Sequence, residues 1–595
     1  MHTAVLISSA GSIDWACLPH FDSPAMFLRL LDYRKGGYCS LDVVSCISSS
    51  RRYLGPTNIL ETTFTASGGR LVLTDFMPVQ KRDGHDPAGR DVATDHRVVR
   101  LLRCTEGAVQ IKLAIKPTFS FASETAKVRS TGDGIALFEG RNDVLQVQCP
   151  GLAVEDDGQA GAQIRIRAGD QLCIVLSYGT PGAAVPAWTL EQALKALRQT
   201  EQYWTEWSQA FQFNGEYRDA VLRSSLLLKL LTFEPTGAIV AAPTSSLPEA
   251  IPGARNWDYR FSWLRDSQFV ITALMHLGYF GEAHDFFHFL KEASKGPVED
   301  LQILYGIRGE RIQTERLLDY LEGYRGSKPV RVGNAAGAQK QLDVYGELLN
   351  CMHAYSNIAA EAEKKPHAEE LWFMVGPLAD YVVGHWREPD NGIWESRGGL
   401  RHFVHSKAMC WVALDRAIQL ASIVGAPGDL SAWRKERDAI RESVLTDGFN
   451  ADAGAFVQSY GSRMLDASVL RLPIHGLIDA SDPRMLSTIR QIERQLMKNG
   501  LVYRYVDIGD NITGDEATFT LCTFWLVDNY VLLDRIEEAK ELFEHVLSFQ
   551  NDLGLFAEEL EPVSRAQLGN FPQALTHVGL ISAAGRIARW RQGWK

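Results

Sequence analysis

Long apolar runs are missing from this chain of 595 residues: none reaches the roughly eighteen uncharged apolar residues that a membrane-spanning helix requires. A basic-then-apolar leader is missing as well, because Thr3 to Ile7 has the make-up of a strand, and a soluble cytoplasmic protein is expected. Cysteine is scarce. The nine present form an odd set without a C-x-x-C pair, and Cys104, Cys173, Cys410 and Cys522 lie in apolar runs. Buried thiols in a reducing compartment are therefore expected in place of a disulfide framework. Basic residues are outnumbered, 61 Lys and Arg against 72 Asp and Glu for a net charge of -11, and no Lys/Arg cluster marks a nucleic-acid surface. The phosphate-cradling order G-x-x-x-x-G-K-[ST] is absent, and Gly333-Asn334-Ala335-Ala336-Gly337 follows no parallel strand. Ser12, Ser245 and Ser459 have no nucleophile-elbow context. Membrane, nucleic-acid, nucleotide and serine-hydrolase functions are set aside on these grounds.

What is present is globular: 46% apolar residues, 22% charged, and a generous supply of Trp and Tyr that suits sugar-stacking platforms as well as a large core. The length calls for two or three domains. Residues 1–180 carry short alternating segments with turns roughly every ten residues, among them Leu60-Glu61-Thr62-Thr63-Phe64, Leu71-Val72-Leu73-Thr74-Asp75-Phe76, Val98 to Arg103, Val109 to Leu113 and Cys173-Ile174-Val175-Leu176. That pattern predicts an antiparallel β-sandwich. Residues 181–216 read as a linker and linker helix. Thr189 is the cap, Gln192 completes a capping box, and Trp204 and Trp207 share one side.

Residues 217–595 change to a helical period. Twelve segments qualify, centred near 225, 270, 287, 351, 375, 413, 437, 469, 490, 523, 541 and 581. The clearest carries Ile536, Ala539, Leu542, Phe543, Val546 and Leu547 on one stripe with its acidic residues outside. Six hairpins closed into a double ring would bury all these faces; a solenoid or irregular bundle would show the same periodicity, although no fixed-length repeat is present. Five connections exceed what a bundle needs, 236–262, 294–340, 386–403, 498–515 and 549–572, and long ordered loops on a rigid scaffold commonly carry function.

Two of these loops hold carboxylates suited to acid–base chemistry. Asp390-Asn391-Gly392-Ile393-Trp394-Glu395 sets Glu395 beside Trp394, and Glu558-Glu559 lies far along the chain. A pair across a pocket could cleave a glycosidic bond, one carboxyl protonating the leaving oxygen while the other activates water. Trp394 would help to desolvate Glu395 and raise its pKa. The alternative is that each is a helix-cap or surface carboxylate. Arg255 to Asp266 (Arg-Asn-Trp-Asp-Tyr-Arg-Phe-Ser-Trp-Leu-Arg-Asp) mixes charge and aromatics at a loop-to-helix entry. An Arg–Asp pair there fits adjacent sugar hydroxyls, or else forms an internal bridge. His402, His405, His577, Glu388 and Asp390 show no recognised zinc spacing, so no metal site is expected.

With these motifs the chain resembles glycoside hydrolase family 15, which comprises glucoamylases, glucodextranases and a group of prokaryotic trehalases. The resemblance runs over nearly the full length. It is carried by Ser12-Ile13-Asp14-Trp15, Pro19-His20-Phe21-Asp22-Ser23, the run from Trp257 to Asp266, Gln341-Leu342-Asp343-Val344-Tyr345-Gly346-Glu347 and Gly569-Asn570-Phe571-Pro572-Gln573-Ala574. It implies an N-terminal β-sandwich (supersandwich) on a C-terminal (α/α)6 barrel, and inverting, exo-acting hydrolysis at a non-reducing α-linked glucose. By motif the general acid is Glu395 and the general base Glu558, with Glu559 its adjacent rival and, where it is not the base, a substrate-binding residue. Arg265 and Asp266 hold the terminal glucose, with Tyr259, Trp263 and Trp394 in the same pocket. The resemblance implies no cofactor for the chemistry itself, though dependence on phosphate or Mg²⁺ occurs among such trehalases. The expected partners are small α-linked glucosides or oligosaccharides, α,α-trehalose first, with self-association into a homo-oligomer left open. Short α-1,4- or α-1,6-glucans are the alternative substrates, and a non-catalytic glucan-binding protein is the alternative of another class. Inversion predicts carboxyls roughly 6.5–9.5 Å apart.

Overall fold

The computed structural model describes residues 1–591 other than 82–91, 133, 156–157, 184, 313, 364–367, 425–427, 507–508, 510–511 and 513–515. It has an N-terminal antiparallel β-sandwich and a C-terminal (α/α)6 barrel. The sandwich turns on one strand, Arg97–Lys116. Its first half pairs with Gly69–Phe76 and Gln171–Gly179, and its second half with Tyr38–Val43 and Ala160–Arg167, so a single strand belongs to both layers. The sequence suggests two strands here, Val98 to Arg103 and Val109 to Leu113. They are joined because the register shifts between Cys104 and Glu106 and Gly107 adopts φ 64°, which bends the strand without ending it. Alternate residues such as Leu102, Cys104, Val109, Ile111 and Leu113 face inward, where they meet Phe64, Leu73, Leu145 and Ile174 from the other strands. Eight of the nine cysteines are buried as free thiols and Cys46 is exposed.

The connecting helix is Leu190–Ser208, capped by Thr189 with the reciprocal Gln192 bond of a capping box. Ala193 and Ala196 pack on Val99, Leu101 and Val175 of the sandwich, while Trp204 packs with Leu226 of the first barrel helix, Arg218–Leu231. Trp207 stacks on Tyr279 at 3.9 Å and donates to Glu282 at 2.7 Å. The helix thus joins the two bodies through apolar contacts at both ends.

All twelve helical centres fall in helical elements. Leu264–His276, Asp343–Glu363, Val404–Val424, a short turn at Ala467–Ile474, Thr520–Leu532 and Ala574–Arg591 pack in sequence, and the last returns to the first. They form the closed inner ring. Arg218–Leu231, Gly281–Ala293, Ala368–His385, Leu430–Asp447, Pro483–Gln495 and Ile536–Leu547 lie outside. The two rings differ as burial demands. Inner Thr520–Leu532 is buried from Thr520 to Val531, whereas outer Ile536–Leu547 buries only Ile536, Ala539, Leu542, Phe543 and Val546. The element near 469 is shorter than its period suggests: a 3-10 turn, Ala467–Leu470, runs into one α-turn, Arg471–Ile474. Pro473 supplies no backbone N–H, and Gly476 then takes φ 82°.

The sandwich also braces the loops. Trp15, fully buried, donates to the Pro243 carbonyl at 2.8 Å and packs among Leu247, Leu318, Leu321 and Val330. Arg260 reaches back to the carbonyl of Ser23 at 2.8 Å. The N-terminal motifs therefore act by holding two of the long loops, 236–262 and 294–340, from below.

Candidate active site

Every one of the five long loops reaches a single pocket at the N-terminal ends of the inner helices. Glu249, Trp257 and Tyr259 come from 236–262, Asn334 and Gln339 from 294–340, and Trp394, Glu395 and Arg397 from 386–403. Arg504 and Tyr505 come from 498–515, and Glu558 from 549–572. Helix starts supply Trp263, Arg265, Asp266, Phe519 and Gln573.

Two aromatic side chains of one motif hold the two carboxylates. Trp263 Nε1 donates to Glu395 Oε1 at 2.7 Å, and Tyr259 Oη donates to Glu558 Oε1 at 2.6 Å. The two rings meet edge to face with centroids 5.4 Å apart. Glu395 sits in a tight turn: its N–H donates to the Gly392 carbonyl, and Gly392 and Glu395 take φ 71° and 58°. A non-glycine residue in the left-handed region costs on the order of 1 kcal/mol, met here by surrounding bonds. Gln339 donates to the Glu395 carbonyl at 2.9 Å, and Asn391 exchanges bonds with the Lys340 backbone. Burial raises the Glu395 pKa, with the Arg265 guanidinium, 3.7 Å away, opposing it.

Glu558 is 1% exposed. Burial first, and then the charge of Glu249, push its pKa up, against Arg504 and the Tyr259 hydroxyl. Its Oε2 accepts no hydrogen bond from the described residues. A Cβ on Gly569 would fall 2.5 Å from that oxygen, so only glycine leaves it in place.

The Arg–Asp motif divides its labour. Asp258 and Arg260 form a fully buried bidentate pair, an internal bridge. Arg265 instead lines the pocket: its Nε donates to Asp266 at 2.9 Å and its Nη1 to the Ile393 carbonyl at 2.8 Å, beside Glu395. Burial raises the Asp266 pKa against the pull of Arg265. Trp394 also lines the pocket, but its indole N–H goes to Asp466 at 2.9 Å and its ring packs on Phe519 and Trp525. The polar contact to Glu395 comes from Trp263, not from its sequence neighbour.

Glu559 points the other way. Its Oε2 accepts from the Ala517 N–H at 2.9 Å, and its Oε1 lies 3.0 Å from Arg504 Nη2. The same nitrogen stands 2.7 Å from Glu249 and 2.9 Å from Glu516. Three carboxylates at such spacing would invite a divalent cation such as Mg²⁺, but the guanidinium already fills that position, and these residues do not fit the ion. His405 faces Arg471, His577 bonds Ser224 and the Phe556 N–H, and neither joins a metal-ligating group among the described residues.

Residues 215–585 match the profile of glycosyl hydrolases family 15, and residues 1–204 match that of a trehalase-like N-terminal region. The chain belongs to glycosyl hydrolases family 15. It is 38% identical to a trehalase of Mycolicibacterium smegmatis over 99% of this chain and 90% of that one. It is 35% identical to a trehalase of Thermoplasma volcanium over 98% and 92%. Among solved structures, a bacterial glucoamylase complexed with acarbose superposes with a TM-score of 0.68 at 15% identity, covering 98% of this chain and 91% of that one, a likeness of fold.

The family-15 pocket also contains groups that motif reading passes over: Glu249, Gln339, Arg397 and the adjacent Arg504 and Tyr505. Behind them Glu516 lies 2.9 Å from Arg504. None stands at a spacing that betrays it; the one available signal was loop length, which marked the loops carrying the five that line the pocket.

Proposed function

We propose that this family-15 hydrolase cleaves α,α-trehalose to two glucose molecules with inversion, Glu395 as general acid and Glu558 as general base. The observation that carries the reading is the brace formed by Tyr259 and Trp263, which presents two carboxyls of raised pKa to one small pocket beside Arg265 and Asp266. Glu395 gives its proton to the glycosidic oxygen as positive charge develops at the anomeric carbon. Glu558, through the oxygen that carries no hydrogen bond from the described residues, takes a proton from the water attacking the opposite face. Arg265 and Asp266 orient the terminal glucose by donating to and accepting from neighbouring hydroxyls. Relatives named trehalase at 30–38% identity over nearly the whole chain support the choice of substrate.

Proton NMR during hydrolysis of trehalose tests this. Inversion at the attacked carbon yields β-glucose while the leaving glucose keeps its α configuration, so the first product is an equal mixture of anomers. An initial excess of α-glucose would overturn the inverting assignment. Glucose release from maltotriose or isomaltose but not from trehalose would move the enzyme to the short α-glucans, and no glucose from any of the three would leave a binding protein.

A further inference from the structure

Outside the pocket, a second concentration of chemistry lies where the sandwich meets the barrel. We propose that His2, His20 and His96 form a tri-imidazole site for a divalent transition-metal ion of the zinc class. One nitrogen from each ring lies within 4.8 Å of the others. The ring centroids are 5.7 Å apart for His2 and His20, 5.0 Å for His2 and His96, and 5.4 Å for His20 and His96. Three imidazoles radiating from a tetrahedral ion, with nitrogens about 2.0–2.1 Å from it, would have ring centres about 5.2 Å apart. The cluster already has nearly that shape.

The three backbones are anchored, which a preorganised site requires. The His2 carbonyl accepts from the Phe21 N–H, fixing the first segment to the turn that carries His20. The His96 carbonyl accepts from Tyr178 at the start of the long shared strand. Barrel residues close the site: Phe233 packs 5.6 Å from His2 and 5.5 Å from His20, and a Glu234 carboxylate oxygen lies 3.9 Å from His2 Nε2, within reach of a fourth ligand position.

Two groups already occupy the rings: the Thr94 hydroxyl lies 2.9 and 3.0 Å from the two ring nitrogens of His2, and Arg308 engages His20. The Arg308 Nη2 donates to His20 Nδ1 at 2.8 Å while its Nη1 pairs with Asp22 at 3.0 Å. An incoming ion takes the His20 lone pair from Arg308, which is 40% exposed and stays on Asp22. Imidazole donors favour Zn²⁺, Co²⁺ or Ni²⁺ over Mg²⁺. None of the three histidines lines the catalytic pocket. The ion would pin the first segment, the His20 turn and the strand entry together against the barrel.

The test uses tag-free, full-length protein stripped of metal and titrated with Zn²⁺ against a chromogenic chelator, alongside thermal unfolding with and without the ion. The expected result is one Zn²⁺ per chain, a higher Tm with Zn²⁺ but not with Mg²⁺, and affinity at least tenfold weaker in His20→Ala and in His96→Ala. Arg308→Gln should bind more tightly than the unaltered protein. No stoichiometric uptake overturns the proposal, and so does unchanged affinity in the two alanine variants, which would put the ion elsewhere. Should either variant fail to fold, the Co²⁺ spectrum of the unaltered protein decides: a four-coordinate, nitrogen-rich spectrum supports the site and a six-coordinate aquo-like one refutes it.

Discussion

Replacing Trp263 by Phe isolates the interaction that sets the proposed proton donor, Glu395. The indole N–H, 2.7 Å from Glu395 Oε1, bonds the ionised carboxylate more strongly than the acid and so holds its pKa below where burial alone would put it. A hydrogen bond to a charged group contributes about 1.5–3 kcal/mol, and one pKa unit is about 1.36 kcal/mol, so its loss should raise Glu395 by about 1–2 units. The alkaline limb of kcat/KM on trehalose, where the acid loses its proton, should move up by that amount while the acid limb stays. Tyr259→Phe is the matched control. It removes the donor to Glu558 and should move the acid limb upward, because a base with a higher pKa stays protonated to higher pH. Both limbs belong to the coupled pair, so the comparison between variants carries the test, not either absolute value. An alkaline limb unmoved in Trp263→Phe, or moved down, would refute the assignment of the proton donor to Glu395.

Three further outcomes are expected. Glu395→Gln and Glu558→Gln should each lower kcat by orders of magnitude with the thermal transition preserved; full activity in either would strip that residue of its role. Arg504→Met should destabilise by about 3–5 kcal/mol, since it leaves Glu249 and Glu559 buried without the cation they share with Glu516, which keeps Arg255, and the loss in Tm should be greater at pH 8 than at pH 5, where the carboxyls can protonate. Asp390, fully buried near Asp343, is raised to about 7 by burial and that neighbour, so its contribution is complete below the unfolded pKa near 3.9 and falls away as pH climbs towards 7. Asp390→Asn should accordingly gain up to ~4 kcal/mol over the unaltered protein between pH 4 and pH 8 and nothing below, measured by denaturant unfolding.

The fold was legible because burial leaves a period behind. A half-buried outer helix such as Ile536–Leu547 must alternate its faces, and the stripe read from sequence is the one that packs. Thr520–Leu532, buried nearly all round, was legible by its run of apolar residues. What the period does not encode is closure: nothing local to Ala574–Arg591 says that it returns to Leu264–His276. The site was legible in part for a related reason. Motifs could name Glu395, Glu558, Arg265 and Asp266, but neighbours along the chain are poor guides to neighbours in space. Trp394 adjoins Glu395 in sequence, yet its N–H serves Asp466, and the donor to Glu395 comes from 132 residues earlier. Glu558 sits at a bend immediately before the two-residue strand Glu559–Leu560, and the two side chains part there. One faces the pocket and the other faces Arg504, a divergence that composition does not encode.

That arrangement separates chemistry from specificity. A single stretch, Tyr259 to Asp266, holds both carboxyls through its two rings and supplies the Arg265–Asp266 pair beside them. It is fixed by the Asp258–Arg260 bridge and, through Arg260, by the sandwich at Ser23. The remaining wall comes from other loops: Gln339, Arg397, Arg504 and Tyr505. Substitutions in that wall can reshape the space for the leaving sugar while the Tyr259 and Trp263 bonds to the carboxylates persist. Exchange of Gln339 or Tyr505 should therefore alter KM and the preference among α-glucosides with the pH limbs unchanged, whereas substitutions within Tyr259 to Asp266, or of Arg504 and Arg397, whose charges act on Glu558 and Glu395, should move the limbs on every substrate.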